Sequence, residues 1–588
     1  MILVAGIFIV RLFFLQVADT RYKHSAENNS QRTVIKYPAR GLMYDRNGKL
    51  LVYNEAAYDL MIIPRQMKDF DTLEICKLLD IEKTNLLKAI KKAKNYSRYK
   101  PSVLVKQISA KKYAALQEKL YRYPGFFVQT RTLRKYPRPI AANILGYVGE
   151  VNDKITHSNP YYESGDYIGI SGIEKSYEIY LRGEKGVEKF LVDVHNRIKG
   201  RYENGKHDTA AVVGKNLTLT IDAELQAYGE KLMQHKVGSI VAIEPSTGEV
   251  LAMISSPSYD PNLLTGRART KNYKVLSNDT LKPLFNRAIM SRYSPGSIFK
   301  TIQALIGMQE GVINENTGFT CGGAPVKCHH HPNPSSVRKA IQYSCNPYFY
   351  KVFQRIIQQG KASSIFKDSE IGLKRWRNHI LTFGLGVSLD LDIPGVKSGL
   401  IPGIELYNKW YGKGRWAFST IYSNSIGQGE VETIPIQIAN LATTIANKGY
   451  FYTPHFVKAI EGQDSIDEKY MVKNITSVES KYFTQVIEGM YSVVNEAGGT
   501  AVWGAKLDSI AICGKTGTVE NTHGKDHSGF FAFAPKDNPK IAIAVYVENA
   551  GFGGVYAAPI ASLMIEKYLT GEIKSKRREK RMLDYKQY

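Results

Sequence analysis

Three short motifs contain the residues whose types and spacing suit acyl transfer. The first is S-x-x-K, formed by Ser297 and Lys300 within the sequence S-P-G-S-I-F-K-T at residues 294–301. Residues three apart lie one helical turn apart, so the lysine amine can approach the serine hydroxyl and, when neutral, take its proton. The pattern therefore predicts a serine nucleophile with a lysine general base.

The residues that follow this motif predict a helix beginning at Ser297. Apolar residues recur between positions 302 and 308, and Gly311 supplies a stop signal. The N-terminus of such a helix offers free backbone N–H groups, which can stabilise an oxyanion during acyl transfer. Alone, S-x-x-K is a weak signal, because a chain of this length contains chance matches.

Two further motifs follow in the order expected of a single active site. Ser344 and Asn346 form an S-x-N sequence after a helical pattern. A K-T-G-T sequence then follows an apolar, strand-like segment, and it supplies a positive charge, two hydroxyls and a glycine that permits close backbone approach. Its residues are Lys515, Thr516, Gly517 and Thr518. Together the three motifs indicate a serine acyltransferase.

A group of soft metal ligands lies close to the S-x-N motif. Its members are Cys321, Cys328, His331 and Cys345. Three thiolates and one imidazole suit the tetrahedral preference of zinc, with His329 as the other candidate imidazole. A structural zinc that fixes the loop is one interpretation, and a Cys321–Cys328 disulfide or free buried thiols are the others.

Two predicted hairpins lie at opposite ends of the region that contains the motifs. The first covers residues 239–256 around a P-S-T-G turn, and the second covers residues 528–547 around K-D-N-P. Helical patterns fill much of the sequence between them. We therefore expect an α+β domain whose antiparallel sheet is completed by distant segments and flanked by helices.

The chain is long enough, at 588 residues, for more than one domain. Strand-like segments flank a D-R-N-G turn at residues 45–48, helical patterns follow between residues 71 and 119, and a polar stretch covers residues 202–214. We expect a membrane anchor (1–18), a mixed, β-rich accessory domain (19–214), a catalytic domain (215–570) and a disordered basic tail (571–588).

The anchor is predicted from the first 17 residues, which are apolar except for Arg11 and Gln16. No small-residue cleavage site follows, so we expect an uncleaved membrane helix. The net charge of +25 favours anionic neighbours such as lipid headgroups or polymers that carry carboxylates. The sequence contains no nucleic-acid-binding motif.

With these three motifs, the chain resembles the penicillin-binding proteins and serine β-lactamases. The resemblance extends to residues 26–30, 40–48 and 172–177, which are similar to the accessory region of class B penicillin-binding proteins of the elongation type. It implies a transpeptidase domain with a penicillin-binding, β-lactamase-like fold, carried on a non-catalytic pedestal outside the cytoplasmic membrane. It also implies a D,D-transpeptidase that cross-links peptidoglycan stem peptides, binds β-lactams covalently and needs no cofactor.

The resemblance further implies a role for each residue of the first two motifs. Ser297 attacks the penultimate D-alanine carbonyl of a stem peptide, and Lys300 is the general base. Ser344 relays the proton to the leaving amine. Asn346 binds the substrate amide and helps to hold Lys300.

The third motif is expected to bind the substrate carboxylate. Thr516 and Thr518 supply the hydroxyl donors, and Lys515 keeps the electrostatics favourable. The backbone N–H groups of Ser297 and Thr518 form the oxyanion hole. The G-Q-G sequence at residues 427–429 resembles the glycine-rich segment that the family has near the active site.

Two alternatives and one partner complete these expectations. A β-lactamase or β-lactam sensor shares the acylation chemistry, but the chain has no convincing E-x-x-L-N-type deacylation motif and has a large accessory region. A catalytically idle scaffold is expected to lose a motif side chain, whereas all are present. The single anchor and the resemblance suggest a multi-pass lipid II glycosyltransferase as partner.

Overall fold

A five-stranded antiparallel sheet forms the centre of the catalytic region in a computed structural model of the chain. Both expected hairpins are confirmed, since Gly238 pairs with Ser256 and Ser528 pairs with Val547. The two hairpins join because Gly238 also pairs with Val547, so distant segments do complete one sheet. The strand order is Val250–Ser256, Gly238–Ile243, Ile541–Val547, His527–Ala534 and Cys513–Val519.

Helices cover this sheet, because almost all of its residues are buried apolar side chains. Helix Pro435–Ala446 is buried along its whole length and packs on the three inner strands. Helices Ala223–Met233 and Ala557–Thr570 also pack on the sheet. The core below the site is therefore rigid and closely packed.

The structure describes residues 31–193, 198–521 and 524–588, together with residues 6–8, 11 and 13. The expected membrane anchor at residues 1–18 otherwise lies outside the described residues. Within these described ranges, no helix is both long enough and apolar enough to cross a membrane.

The accessory region has its own core around strand Leu50–Ile62. This strand pairs on one side with Ser102–Ser109 and on the other with Phe126–Lys135. Helices at residues 72–79 and 83–96 pack their apolar faces into the same core. The expected helical patterns between residues 71 and 119 are confirmed, with one strand inserted among them.

A short strand, Leu217–Leu219, connects the two regions through backbone hydrogen bonds. It pairs in parallel with Met43–Tyr44 of the accessory region and antiparallel with Val457–Ile460 of the catalytic region. The polar stretch that ends at residue 214 thus leads directly into a shared sheet. The two regions are joined by ladder hydrogen bonds as well as by the chain itself.

The remaining elements have the following bounds. Before residue 215 the helices are Thr72–Leu79, Lys83–Tyr96, Ala110–Gln117, Ala142–Leu145, Asp153–Ser158, Gly172–Ser176 and Glu178–Leu181, and the further strands are Gln31–Lys36, Val148–Glu150, Tyr167–Gly169, Gly186–Val192 and Ile198–Arg201. After it the further helices are Arg269–Asn278, Arg287–Met290, Lys300–Gln309, Val337–Tyr343, Asn346–Ile357, Ile365–Leu381, Ile404–Tyr411, Phe418–Ile421, Ser480–Asn495, Val502–Ala505 and Lys576–Asp584, and the further strands are Tyr450–Tyr452 and Lys473–Ile475.

The prediction of a disordered basic tail is wrong. Residues 576–584 form a helix whose Met582 is fully buried. Arg578 donates hydrogen bonds to Ser562 and to the backbone carbonyl of Lys506, and Tyr228 donates one to Glu579. The many charges of this segment led to the prediction of disorder, although a few of its side chains attach it to the catalytic region.

A buried ion cluster holds the accessory region together beside the shared sheet. Glu174 is fully buried and accepts hydrogen bonds from Arg40 at 2.7 Å and from Arg134 at 2.6 Å. Arg40 also reaches Glu178 at 2.7 Å. These two cations hold the pKa of Glu174 below its ordinary value despite the burial. The cluster thus joins one residue of segment 40–48 to one residue of segment 172–177.

Replacing Glu174 with glutamine is expected to lower the free energy of unfolding by about 3 to 5 kcal/mol, because two buried guanidinium groups lose their shared carboxylate. Urea unfolding of wild type and Glu174→Gln measures this. Glu479→Gln, at an exposed ion pair with Lys481, serves as the control and should leave the midpoint unchanged. Equal midpoints for Glu174→Gln and wild type would show that the cluster does not stabilise the fold.

Candidate active site

Ser297 lies in a 3₁₀ turn, Gly296–Phe299, that continues into helix Lys300–Gln309. The α-helix therefore begins three residues later than expected, and Ser297 itself lies in the turn that leads into it. Gly296 has φ +55°, and a Cβ there would lie 2.7 Å from the backbone oxygen of Thr518. Only glycine allows this approach, which places the Ser297 turn directly against the K-T-G strand.

The G-Q-G sequence supports the same turn from the other side. The amide of Gly296 donates a hydrogen bond to the carbonyl of Gly427 at 2.8 Å. Gly427 has φ +71°, and a Cβ there would lie 2.3 Å from the carbonyl oxygen of Gly296. The expected glycine-rich segment therefore does lie beside Ser297, where it fixes the backbone.

Lys300 is fully buried and points at the S-x-N motif. Its Nζ donates to the Ser344 carbonyl at 2.6 Å, to Ser344 Oγ at 3.1 Å and to Asn346 Oδ1 at 2.5 Å. None of its hydrogen-bond partners in the described part of the chain is a carboxylate. Burial lowers the pKa of Lys300 to about 7. A substantial fraction of this amine is therefore neutral at neutral pH.

The S-x-N motif joins two helices through a tight turn. Helix Val337–Tyr343 ends at Ser344, whose φ of +56° is left-handed, and helix Asn346–Ile357 begins two residues later. The turn directs the Ser344 hydroxyl and the Asn346 amide towards Lys300. Asn346 Nδ2 donates to the carbonyl of Lys327 at 2.6 Å, which fixes the orientation of the amide.

Lys515 reaches the same hydroxyl from the opposite wall. Its Nζ donates to Ser344 Oγ at 2.8 Å and to the Thr516 carbonyl at 3.1 Å. Burial, and then the neighbouring charge of Lys300, holds the pKa of Lys515 well below its ordinary value. Ser344 therefore bridges two buried amines.

The K-T-G motif lies on strand Cys513–Val519, the last strand of the five-stranded sheet. Its free edge can pair with an extended peptide through backbone hydrogen bonds. A Cβ on Gly517 would lie 3.1 Å from the carbonyl oxygen of Pro295, so the strand passes close to the Ser297 turn. Thr518 is half-buried beside that turn. The structure thus brings the three segments that carry all eight predicted residues together around Lys300 and the Ser297 turn, a place that we call the catalytic cleft.

Two contacts of this site were missed in the sequence. Thr500 Oγ1 lies 2.8 Å from Thr516 Oγ1 and so orients the hydroxyl of the K-T-G threonine. The carbonyl of Lys327 fixes Asn346, as described above. Neither residue belongs to a motif, and a backbone carbonyl leaves no side-chain signal in a sequence.

The expected soft ligands also come together. Cys321 Sγ lies 3.5 Å from Cys345 Sγ, and His331 Nε2 lies 3.1 Å from Cys328 Sγ and 3.6 Å from Cys321 Sγ. All four ligand atoms lie within 4.8 Å of one another. Tetrahedral zinc with these ligands requires separations of about 3.8 Å between sulfurs and about 3.6 Å from sulfur to nitrogen, so the set fits the metal.

No disulfide is formed, since all five cysteines are free. His331, rather than His329, provides the imidazole of the cluster. The ring of His331 is also held by Tyr343, whose ring stacks on it at 5.4 Å between centroids. The cluster therefore lies against the helix that ends at Ser344.

Comparison with known proteins finds related families over most of the chain. The family described as Penicillin binding protein transpeptidase domain matches residues 238–566, and that described as Penicillin-binding Protein dimerisation domain matches residues 35–219. The peptidoglycan D,D-transpeptidase MrdA of Haemophilus influenzae is 32% identical over 97% of this chain and 90% of its own length.

Solved structures show the same architecture. A complex between penicillin-binding protein 2 and MreC from Helicobacter pylori has a TM-score of 0.74 at 24% identity, covering 92% of this chain and all of that protein. A structure on coordination of polymerization and crosslinking by a peptidoglycan synthase complex has a TM-score of 0.71 at 25% identity, covering 97% and 98%. The chain belongs to the class B penicillin-binding proteins of the penicillin-binding protein 2 type, the serine D,D-transpeptidases that cross-link peptidoglycan during cell-wall elongation.

Proposed function

We propose that Ser297 is the nucleophile of this D,D-transpeptidase. Its Oγ attacks the penultimate D-alanine carbonyl, the terminal D-alanine leaves as an amine, and an ester remains on the serine. The amine of a neighbouring stem peptide then attacks the ester, forming the cross-link and releasing Ser297. β-Lactams acylate the same oxygen. The observation that best supports this proposal is that the Ser297 turn, two buried lysines and the K-T-G strand meet in the catalytic cleft.

Lys300 acts as the general base. Its amine lies on the same helical surface as Ser297, and its pKa of about 7 leaves it able to accept the hydroxyl proton near neutral pH. The amine is held by the Ser344 carbonyl and the Asn346 side chain. These contacts position Lys300 before substrate binds, so little reorganisation is needed at the moment of attack.

Ser344 passes the proton onward to the leaving amine. Its hydroxyl accepts from both Lys300 and Lys515, which makes it the bridge between the base and the K-T-G wall. Lys515 provides a second hydrogen bond there. Asn346, held by the Lys327 carbonyl, hydrogen-bonds the substrate amide.

The K-T-G strand binds the donor peptide and stabilises the oxyanion. The backbone N–H groups of Ser297 and Thr518 donate hydrogen bonds to the developing oxyanion. Gly296 allows the Ser297 turn to approach the strand that carries Thr518. Thr516 and Thr518 bind the terminal carboxylate, and Thr500 orients the Thr516 hydroxyl. The chemistry of these residues requires no cofactor.

Cys321, Cys328, His331 and Cys345 bind a structural zinc ion. Their separations fit tetrahedral coordination, as set out above. Bound zinc would cross-link the loop that contains Lys327 to the turn that contains Ser344 and Asn346. It therefore stabilises the orientation of catalytic residues and takes no part in the reaction.

The catalytic domain works outside the cytoplasmic membrane, attached by a single anchor at residues 1–18. The accessory domain covers residues 19–214, the transpeptidase domain residues 215–570, and the last segment residues 571–588. The similarity to a synthase complex for polymerization and crosslinking supports a multi-pass lipid II glycosyltransferase as partner. Peptidoglycan stem peptides and β-lactams occupy the cleft.

Penicillin should form a covalent adduct with wild-type protein and none with Ser297→Ala, because the ester requires the serine oxygen. Intact mass spectrometry measures the adduct, and a lifetime of hours distinguishes a transpeptidase from a rapidly deacylating enzyme. Ser294→Ala, three residues away, is the matched control and should retain the adduct. An adduct on Ser297→Ala would overturn the assignment of the nucleophile.

The rate of penicillin acylation should rise about tenfold per pH unit below pH 7 and level off above it, because Lys300 acts in its neutral form. Lys300→Arg, which stays charged, should slow acylation by about 100- to 10,000-fold. Stopped-flow measurements from pH 5 to 9 test both, with Lys351→Arg as the control. A flat profile in wild type would exclude Lys300 as the base.

Purified wild-type protein should contain about one zinc ion per chain, and Cys328→Ser should lose most of it, because a thiolate ligand is removed. Elemental analysis by mass spectrometry measures the metal. Cys76→Ser, at a buried thiol outside the cluster, is the matched control and should keep its zinc. Equal metal content in wild type and Cys328→Ser would contradict the site.

A further inference from the structure

An exposed group of apolar side chains lies beside the K-T-G strand and has no role in the mechanism above. Trp503 is 95% exposed, Phe552 is 69% exposed and Val555 is 43% exposed. Several large apolar side chains exposed close together are typical of a surface that contacts a ligand or partner.

These side chains are carried by two segments that pack directly on the K-T-G strand. Thr500, three residues before Trp503, contacts Thr516 through its hydroxyl. A Cβ on Gly553 would lie 2.5 Å from the carbonyl oxygen of Gly517, so the second segment crosses that strand closely. The segments that carry the apolar group are therefore in direct contact with the K-T-G strand.

The C-terminal helix, residues 576–584, forms the opposite wall of a groove of about 1000 Å³. We call it the aromatic–basic groove, and it is lined by Trp503, Val555, Tyr556, residues 574–578, residues 580–582, Asp584 and Tyr585. The rings of Tyr556 and Tyr585, both in this lining, pack together with their centroids 4.2 Å apart.

The basic wall carries charge that the fold does not use. Arg578 is engaged internally, and Lys576 lies 3.4 Å from Glu579. Within the ranges that the structure describes, the side chains of Arg577, Lys580 and Arg581 form no hydrogen bond or ion pair. These cations are available to bind an anionic ligand in water.

We propose that the aromatic–basic groove binds the peptidoglycan strand outside the catalytic cleft. Sugar rings pack on Trp503, and carboxylates of the stem peptides pair with Arg577 and Arg581. The polymer offers both chemistries, and the segments that carry Trp503 and Val555 pack on the K-T-G strand, where its peptides react. The inference rests on the proposed function of the cleft, and it adds a surface that positions polymeric substrate.

The structure favours this occupant over a membrane surface. A helix that lies on a bilayer needs an exposed apolar face opposite its basic face. Here the apolar residues Met582 and Leu583 pack into the core of the catalytic region instead. The exposed face of the helix is left charged, as suits a hydrated polyanion.

The test measures binding of the full chain to soluble, uncrosslinked peptidoglycan strands. Trp503→Ala and the double variant Arg577→Gln/Arg581→Gln should each raise the dissociation constant about tenfold. Trp503→Phe should retain most of the affinity. Trp410→Ala removes another exposed tryptophan, 53% exposed on helix Ile404–Tyr411, and should bind as wild type does. Added salt should weaken wild-type binding more than that of the double variant.

Penicillin acylation is measured on every variant, so that failure of the catalytic assignment is seen separately from failure of the groove. If Trp503→Ala loses acylation, the proposal is judged on the double variant, whose substitutions lie on helix Lys576–Asp584 and not on the K-T-G strand. Unchanged strand binding in the double variant overturns the proposal. It is also overturned if the charge variants lose binding to anionic lipid vesicles while they keep strand binding.

Discussion

Two buried lysines that share one hydroxyl set the central constraint of this molecule. Lys300 and Lys515 are fully buried, both donate to Ser344 Oγ, and no carboxylate contacts either amine in the described ranges. Two ammonium groups in such a place are disfavoured by burial and by mutual repulsion. The protein avoids this cost by keeping an amine neutral, which is the state that a general base requires.

The rest of the fold brings together the segments that carry Lys300, Ser344 and Lys515, and it buries these three residues. Distant segments supply the Ser297 turn, the Ser344 turn and the K-T-G strand, and the five-stranded sheet and its helices hold them in place. Glycines at 296 and 427 allow the backbones to approach closely. The shared strand Leu217–Leu219 fastens this assembly to the accessory region. The packing that positions the two lysines and Ser344 is thus also the packing that buries them.

Residue types and short spacings carried most of the predictable information. The motifs, both hairpins and the soft-ligand cluster depend on local patterns, and the structure brings each set together. The prediction of a disordered basic tail was wrong because the helix packs on the catalytic region through a single fully buried residue, Met582. One apolar residue among many charges gives no periodic pattern that would predict this. The Arg40–Glu174 ion pair and the Lys327 carbonyl could not be inferred, since they join segments whose proximity only the tertiary fold creates.

The most direct test of this account is the pKa of Lys300 in the folded enzyme. Full-length protein labelled with ¹³C at the lysine ε-carbons can be titrated by NMR, and the signal absent from Lys300→Arg identifies the residue. We predict a titration near pH 7, far below that of ordinary lysines. A Lys300 signal that titrates near pH 10, as solvent-exposed lysines do, would mean that the amine stays charged and is not the base.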